Sequence, residues 1–238
     1  MSLVNAALDL LFPPRCPGCG RDGERWFCAP CLNRIPGPTM PICDCCGFTL
    51  PATSISPRCR ACLDRPPAFR RARACATYAH DDEGPLRAVL HRYKYERDLA
   101  EAAPLVRLLE ERCPLAPNDY DLVVPVPLHL SRLRWRGFNQ AQLLVQTHAR
   151  RHCVRVDPFA LERVRATGPQ VRLDAEERRR NVRGAFRVAH RERVAGRAVL
   201  LVDDVYTSGA TADACARALL SAGARVVDVV ALAHAVLS

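Results

Sequence analysis

One stretch indicates the architecture of this chain: Val199-Leu200-Leu201-Val202-Asp203-Asp204-Val205-Tyr206-Thr207-Ser208-Gly209-Ala210-Thr211. Four consecutive apolar residues open it, and such runs are typical of strands that are buried on both faces of a parallel sheet. Two carboxylates follow where this strand should end, which is where ligands of open α/β sheets bind. A small, hydroxyl-rich turn then leads into a helix-compatible run that stops at Gly223.

The residues after the strand point to a sugar phosphate. A turn of small residues at a helix N-terminus presents free N–H groups, hydroxyls and the positive end of the helix dipole, all of which favour a phosphate. The two carboxylates would repel that phosphate, but they suit the hydroxyls of a sugar or a metal ion carried by the ligand. The pattern therefore predicts a ribose 5-phosphate site. The alternative is a buried strand whose acidic end only caps a loop.

All thirteen positions resemble the signature of type I phosphoribosyltransferases. The resemblance implies an α/β fold, a parallel sheet flanked by helices, and a site for phosphoribosyl pyrophosphate with Mg²⁺. It implies that Asp203 and Asp204 hold the ribose hydroxyls and are the catalytic residues, in a reaction that displaces diphosphate from C1 of ribose. The turn would hold the 5′-phosphate through Thr207, Ser208, Gly209, Ala210 and Thr211.

The composition is that of a soluble globular protein. The 238 residues are 49% apolar and 25% charged, and the formal net charge is +10. Lys94 is the only lysine, so 34 of the 35 basic residues are arginine. Arginine binds phosphate through two parallel contacts, so the excess favours polyanionic partners. A GC-rich coding sequence would produce the same bias.

The chain has no apolar run of the ~20 residues that a membrane span needs. A signal peptide is not expected either, since no basic residue precedes the apolar segment 2–12 and Asp9 interrupts it. We therefore expect a cytoplasmic protein with reduced thiols.

Four C-x-x-C units lie within 47 residues and are typical of zinc knuckles, in which each pair supplies two thiolates. The segment has too few large apolar residues to fold by burial alone, and zinc binding worth on the order of 10 kcal/mol would compensate. We predict two structural zinc ions with four thiolates each. The predicted ligands are Cys16, Cys19, Cys28, Cys31, Cys43, Cys46, Cys59 and Cys62.

Disulfides and an iron–sulfur cluster are the alternatives to zinc. A cytosolic setting argues against structural disulfides, and a cluster would need only four cysteines. The neighbouring Cys45 makes the choice of ligands near Cys43 and Cys46 uncertain. The remaining cysteines have no mutual spacing and are predicted to lie in the core: Cys75, Cys113, Cys153 and Cys215.

Pro66-Pro67 predicts a boundary between a zinc-ribbon module with a short N-terminal helix, residues 1–66, and a phosphoribosyltransferase-like domain, residues 67–238. Strands and helices alternate in the second part, which indicates a parallel sheet. A charged segment, residues 165–181, is predicted to be a mobile lid or a solvated loop. Further strands are predicted at 74–78, 121–127, 160–165, 184–189 and 225–233. Further helices are predicted at 85–95, 99–113 and 139–151.

The whole chain resembles the ComF family, which includes competence-associated proteins of bacteria that take up DNA. The cysteine-rich module, the central Arg136-Gly137-Phe138-Asn139-Gln140 and a spaced pattern carry this resemblance; the pattern comprises Gln170, Leu173, Arg178, Asn181 and Phe186. It implies that Arg136 contacts the diphosphate, and Arg132 and Arg178 are weaker candidates. We expect the zinc module to occupy the position of the hood that binds the acceptor in nucleobase-using enzymes.

The resemblance implies two classes of function. In the first, a protein that binds phosphoribosyl pyrophosphate acts in natural competence, handling single-stranded DNA along an arginine-rich face, with other DNA-uptake proteins as partners. In the second, an active phosphoribosyltransferase transfers ribose 5-phosphate to an unidentified nucleobase-like acceptor. No acceptor signature is legible in the sequence. A P-loop ATPase is excluded, because no Walker A sequence occurs.

Overall fold

The computed structural model of the protein describes residues 13–24, 26–79, 83–113, 115–152, 155–168 and 174–236. The predicted helix at 2–12 lies outside these residues, as do Cys153, Gln170 and Leu173. Among the described residues, no helix is long and apolar enough to cross a membrane.

The centre of the molecule is a four-stranded sheet in which every neighbouring pair is parallel, in the order β1-β6-β5-β2. Val199 and Leu201 of β5 face one side of the sheet, and Leu200 and Val202 face the other. All four are buried, which confirms the prediction of a strand covered on both faces. Within the described residues the strands are β1 (Ala72–Ala79), β2 (Leu122–Pro125), β3 (Glu162–Arg163), β4 (Phe186–Arg187), β5 (Ala198–Tyr206) and β6 (Val226–Val236).

Strands β3 and β4 do not join the parallel sheet, so that expectation was wrong. They are two residues long and pair with each other in antiparallel fashion. The outer edge of β2 is already taken, because the Val123 amide donates to the Arg155 carbonyl and the Asp157 amide donates to the Val123 carbonyl. Residues 155–157 therefore occupy the edge of β2 where a strand near residue 160 would have to pair.

Helices cover both faces of the sheet, and each face has its own apolar core. Helices α3, α4 and α6 pack on one face with Leu105, Leu144 and Leu200. Helices α7 and α8 pack on the other face with Val182 and Leu219. The helices are α1 (Ala29–Asn33), α2 (Arg60–Asp64), α3 (Pro85–His91), α4 (Ala102–Arg112), α5 (Leu130–Arg136), α6 (Gln140–His152), α7 (Ala175–Val182) and α8 (Ala210–Ser221).

Two predicted segments take forms that the sequence did not indicate. The helix predicted at 85–95 ends as α3 at His91 and continues as a π-helical turn, Arg92–Glu96. The charged segment predicted as a lid contains helix α7, whose capping box joins Asp174 and Glu177. Arg178 of that helix is buried.

The cysteine-rich segment lies along the outer edge of β1. The Ala72 amide donates to the Cys45 carbonyl over 2.7 Å, and the Thr77 amide donates to the Pro36 carbonyl over 2.8 Å. The predicted boundary between residues 66 and 67 stays a prediction, since both apolar cores contain residues from either side of it.

Candidate functional site

A cavity of about 720 Å³ opens beyond the carboxyl ends of β2 and β5. Val126 and Pro127 after β2 line it, as do Asp203, Asp204 and the turn after β5. Among the described residues, none that lines the cavity precedes Tyr78. The expectation that the zinc module forms a hood over this site is therefore wrong; the module packs on the sheet edge instead.

The acidic pair lies in this cavity with the only lysine of the chain. Lys94 Nζ lies 3.0 Å from Asp204 Oδ2, and only 17% of the lysine side chain is exposed. The π-helical turn brings Lys94 to this place, and Arg92 fixes the turn by donating from Nε to Glu101 Oε1 over 2.7 Å. Such turns occur frequently at functional sites. Sequence reasoning missed Lys94, although its isolation among 34 arginines was a signal.

The surroundings shift the pKa values of Asp203 and Lys94. Burial raises the pKa of Asp203 to about 8, the neighbouring Asp204 adds to the rise, and Lys94 opposes it. Burial is the largest single influence and lowers the pKa of Lys94, but the charge and hydrogen bond of Asp204, together with Tyr78 and Asp203, outweigh it, so the pKa is raised. The ligand-free site thus holds a protonated Asp203 beside an Asp204–Lys94 ion pair at neutral pH.

The turn after β5 adopts the form that a phosphate loop needs. Gly209 has φ +76°, and α8 begins at the next residue. A Cβ on Gly209 would lie 2.5 Å from Tyr206 Oη, so both the backbone and the packing require glycine. Thr207 and Thr211 line the cavity. Ser208 Oγ is buried, and no described atom accepts from it or donates to it.

Five arginines line the same cavity: Arg87, Arg132, Arg136, Arg163 and Arg178. Burial lowers the pKa of Arg163, and the charge of Arg132 lowers it further. Sequence reasoning named Arg132, Arg136 and Arg178. It missed Arg87 in α3 and Arg163 in β3, because no motif surrounds either residue.

Three cavity residues, Arg136, Gln140 and Arg163, carry buried N–H groups that no described residue satisfies. Arg136 Nη1 donates to Gln140 Oε1 over 2.8 Å, which leaves Arg136 Nε and Gln140 Nε2 without an acceptor. Arg163 Nε is in the same state. A buried donor without a partner costs about 1–3 kcal/mol, so these groups favour a ligand rich in acceptor atoms.

The cysteines form two tetrads, and the ligand atoms of each lie within 4.8 Å of one another. Zn–S bonds of about 2.3 Å in a tetrahedron place sulfurs roughly 3.8 Å apart. The observed Sγ–Sγ distances are 3.6 Å for Cys16–Cys28, 3.7 Å for Cys19–Cys28 and 3.6 Å for Cys46–Cys59. The donor sets therefore fit two structural zinc ions. The tetrads are Cys16, Cys19, Cys28 and Cys31, and Cys43, Cys46, Cys59 and Cys62.

The two tetrads repeat one local geometry. The amide of Cys28 donates to Cys16 Sγ over 3.3 Å, and the amide of Cys59 donates to Cys43 Sγ over the same distance. Such N–H···S contacts stabilise the thiolates that bind zinc. Cys45 is buried beside the second tetrad but does not belong to it.

Known proteins resemble both parts of the chain. Residues 7–63 match the double zinc ribbon domain. DNA utilization protein YhgH of Escherichia coli K12 is 38% identical over 213 residues, which cover 87% of this chain and 89% of YhgH. Competence protein F of Haemophilus influenzae is 30% identical over 226 residues, which cover 92% and 95%. The chain belongs to the ComF family.

Two weaker similarities accompany these matches. The ComF relative ComFC of Bacillus subtilis is 25% identical over 82% of this chain and 78% of its own. Glutamine phosphoribosylpyrophosphate amidotransferase of Bacillus subtilis aligns with 52% of the chain and 24% of its own length, with 22% identity and a TM-score of 0.35. A likeness of that size supports no functional assignment.

Proposed function

We propose that this ComF-family protein binds phosphoribosyl pyrophosphate with Mg²⁺ and acts in the cytoplasm in the uptake or use of DNA. One observation carries the binding proposal: an acidic pair, a glycine turn at a helix N-terminus and unsatisfied N–H donors share a single cavity. The names of the relatives, DNA utilization protein and competence protein, support the role in DNA metabolism.

Each part of the cavity suits one part of the ligand. Asp203 and Asp204 would accept hydrogen bonds from the ribose hydroxyls, and the turn from Thr207 to Thr211 would donate to the 5′-phosphate. Arg136 would contact the diphosphate, to which Mg²⁺ adds further neutralising charge. Lys94 would balance the charge of Asp204.

Calorimetry on the wild type and an Asp203→Asn/Asp204→Asn variant tests this assignment. We expect Mg²⁺–phosphoribosyl pyrophosphate to bind the wild type and to bind the double variant at least tenfold more weakly, because two acceptors for ribose hydroxyls are changed. Asp119→Asn is a matched control, since Asp119 is exposed before β2 at the opposite end of the sheet. Equal affinity of the wild type and the double variant would overturn the assignment.

The DNA part of the proposal concerns single-stranded DNA on the arginines of α5, Arg132, Arg134 and Arg136. Arg134 is exposed, while its two neighbours line the cavity. Binding through phosphates weakens steadily with salt and shows little sequence preference. A gel-shift series at rising salt measures this, and substitution of the three arginines by glutamine should flatten the salt slope.

Three exposed arginines elsewhere provide the control for that series, and their loss should leave the slope unchanged: Arg21, Arg34 and Arg191. An equal effect of both triple variants would assign the binding to net charge alone.

Transferase activity on a nucleobase-like acceptor is a second candidate, favoured by the continuation of the cavity from the acidic pair to Tyr95 and Trp135. The C1–O bond to diphosphate would break, a C1–N bond would form, and the acceptor proton would pass to solvent. Diphosphate release with a panel of nucleobases tests it.

A further inference from the structure

Two large aromatic side chains on the rim of the cavity are exposed. Tyr95 is 52% exposed and Trp135 is 58% exposed, and both line the cavity that contains the acidic pair. A third exposed aromatic residue, Phe159 at 69%, does not line it. Water-exposed rings at the mouth of a polar cavity offer a flat apolar surface to whatever enters.

The rings are held in position from two elements. Tyr95 lies in the π-helical turn and Trp135 in α5. The guanidinium carbon of Arg136 lies 5.6 Å from the centroid of the Tyr95 ring and 5.9 Å from that of Trp135, within the range of cation–π attraction. Arg97 Nη2 donates to the Trp135 carbonyl and ties the two elements together. Both rings thus lie around the Arg136 guanidinium at the mouth of the cavity, and we call these three residues the aromatic rim (Tyr95, Trp135 and Arg136).

Unsatisfied hydrogen-bond donors accompany the aromatic rim. Gln140 is only 2% exposed, lines the cavity, and uses Oε1 to accept from Arg136. Its Nε2 finds no acceptor among the described residues, and neither does Arg136 Nε. A ligand here must have a flat face for the rings and acceptor atoms at its edge for the amide. A phosphate offers the acceptors but gains nothing from aromatic rings.

We propose that the aromatic rim binds a heterocyclic base, which stacks on Trp135 and Tyr95 and accepts a hydrogen bond from Gln140 Nε2. The proposal rests on the proposed function and deepens it, because it names the chemical class that shares the cavity with phosphoribosyl pyrophosphate. The base comes either as a free nucleobase or as a base of single-stranded DNA; the chemistry of recognition is the same.

Binding of two oligonucleotides separates base stacking from phosphate contact. The probes are a twelve-residue oligothymidylate and an abasic strand with the same number of phosphates. We expect the wild type to bind the oligothymidylate about tenfold more tightly, since one stacked base contributes roughly that factor. Trp135→Ala should abolish the difference and leave the abasic affinity unchanged. Phe159→Ala is the matched control and should preserve the difference, and Trp135→Tyr should restore most of it.

Free bases form the second arm. In a Trp26→Phe background Trp135 is the only tryptophan, so its fluorescence reports directly on stacking. Quenching by uracil or hypoxanthine in the presence of phosphoribosyl pyrophosphate identifies a free nucleobase as the ligand. A tenfold preference for the oligothymidylate without that quenching identifies a base of the strand.

The proposal is overturned if the wild type binds both strands equally and no free base quenches Trp135, or if Phe159→Ala has the same effect as Trp135→Ala. Calorimetry with phosphoribosyl pyrophosphate keeps the two proposals apart. A wild type that shows the tenfold preference but does not bind this ligand would refute the proposed function and leave the base site standing.

Discussion

The two zinc ribbons have the same ligand set, and they lie on opposite faces of the sheet. The first tetrad belongs to the core that contains α3 and α4, and the second belongs to the core that contains α8. In the first ribbon, Trp26 Nε1 donates to the Pro104 carbonyl and the ring lies 4.1 Å from the Arg107 guanidinium. In the second, Phe48 stacks on His234 at 4.2 Å between ring centroids and meets Tyr206 edge-on at 5.5 Å.

This difference connects each ribbon to a different half of the cavity. The Pro17 carbonyl of the first ribbon accepts a hydrogen bond from the side chain of Arg92. Arg92 is the first residue of the π-helical turn that contains Lys94. Phe48 of the second ribbon contacts Tyr206, whose ring packs under Gly209 of the turn after β5. No described ribbon residue lines the cavity, but each ribbon contacts a residue close in sequence to its lining: Arg92 near Lys94, and Tyr206 beside Thr207.

Loss of a zinc ligand should have the largest effect. Zinc binding contributes on the order of 10 kcal/mol, comparable to the whole stability of a domain. Cys31→Ser and Cys62→Ser should each lower the metal content from two zinc ions per chain to one and strongly reduce the melting temperature. Cys45→Ser is the control and should retain two zinc ions. A loss of zinc from Cys45→Ser, or iron as the main metal, would contradict the assignment.

Substitution of the packing residues should show that the two ribbons affect ligand binding differently. Phe48→Ala and Trp26→Ala each remove a partly buried ring, at about 2–3 kcal/mol. Melting curves should show that the two variants lose a similar amount of stability. Calorimetry should show a lower affinity for phosphoribosyl pyrophosphate with Phe48→Ala than with Trp26→Ala, because Phe48 contacts Tyr206 beneath the turn after β5 and Trp26 does not. Equal affinities of the two variants would contradict the connection between the second ribbon and the turn after β5.

Gly209→Ala tests the turn after β5, which packs on Tyr206 and through it on the second ribbon. The left-handed backbone costs about 1–2 kcal/mol with any side chain, and the new Cβ meets Tyr206 Oη. We expect weaker binding of ribose 5-phosphate, measured by calorimetry. Adding Tyr206→Phe should relieve the contact and recover part of the affinity. A single variant that binds as the wild type does would show that the turn does not hold the phosphate.

The last test concerns Asp203, the neighbour of the Asp204–Lys94 ion pair. Its folded pKa of about 8 is far above the ~3.9 of an unfolded aspartate. The folded protein therefore holds a proton that the unfolded chain lacks between these values, and this contribution to stability is lost as the pH rises toward 8. Asp203→Asn should become progressively more stable than the wild type from pH 4 to pH 8, and the gap should be constant above pH 8. Chemical denaturation across this range measures it, and a constant gap throughout would contradict the buried, protonated state.

The sequence predicted those elements whose signals are local. Strand β5 and helix α8 follow from an apolar run, an acidic end and a glycine turn within two dozen residues. The cysteine spacing likewise predicted the two tetrads, because each C-x-x-C unit carries its own turn. The roles of Asp203, Asp204 and the turn in binding a ligand stay predictions.

The parts that the sequence did not predict depend on distant contacts. The apolar period at 85–95 predicts one helix, but Arg92 is tied to Glu101 and to Pro17, and the helix changes to a π-helical turn at that point. Lys94 reaches Asp204 only through this turn. The unsatisfied amide of Gln140 depends in the same way on its tertiary partner, Arg136.

The position of the ribbons along β1 has a consequence for solubility. A free outer strand offers unpaired N–H and C=O groups to other chains and promotes aggregation. Here the carbonyls of Cys45 and Pro36 accept hydrogen bonds from the amides of Ala72 and Thr77 in β1. We expect chelation of zinc to uncover this eight-residue strand for intermolecular pairing and so to promote aggregation.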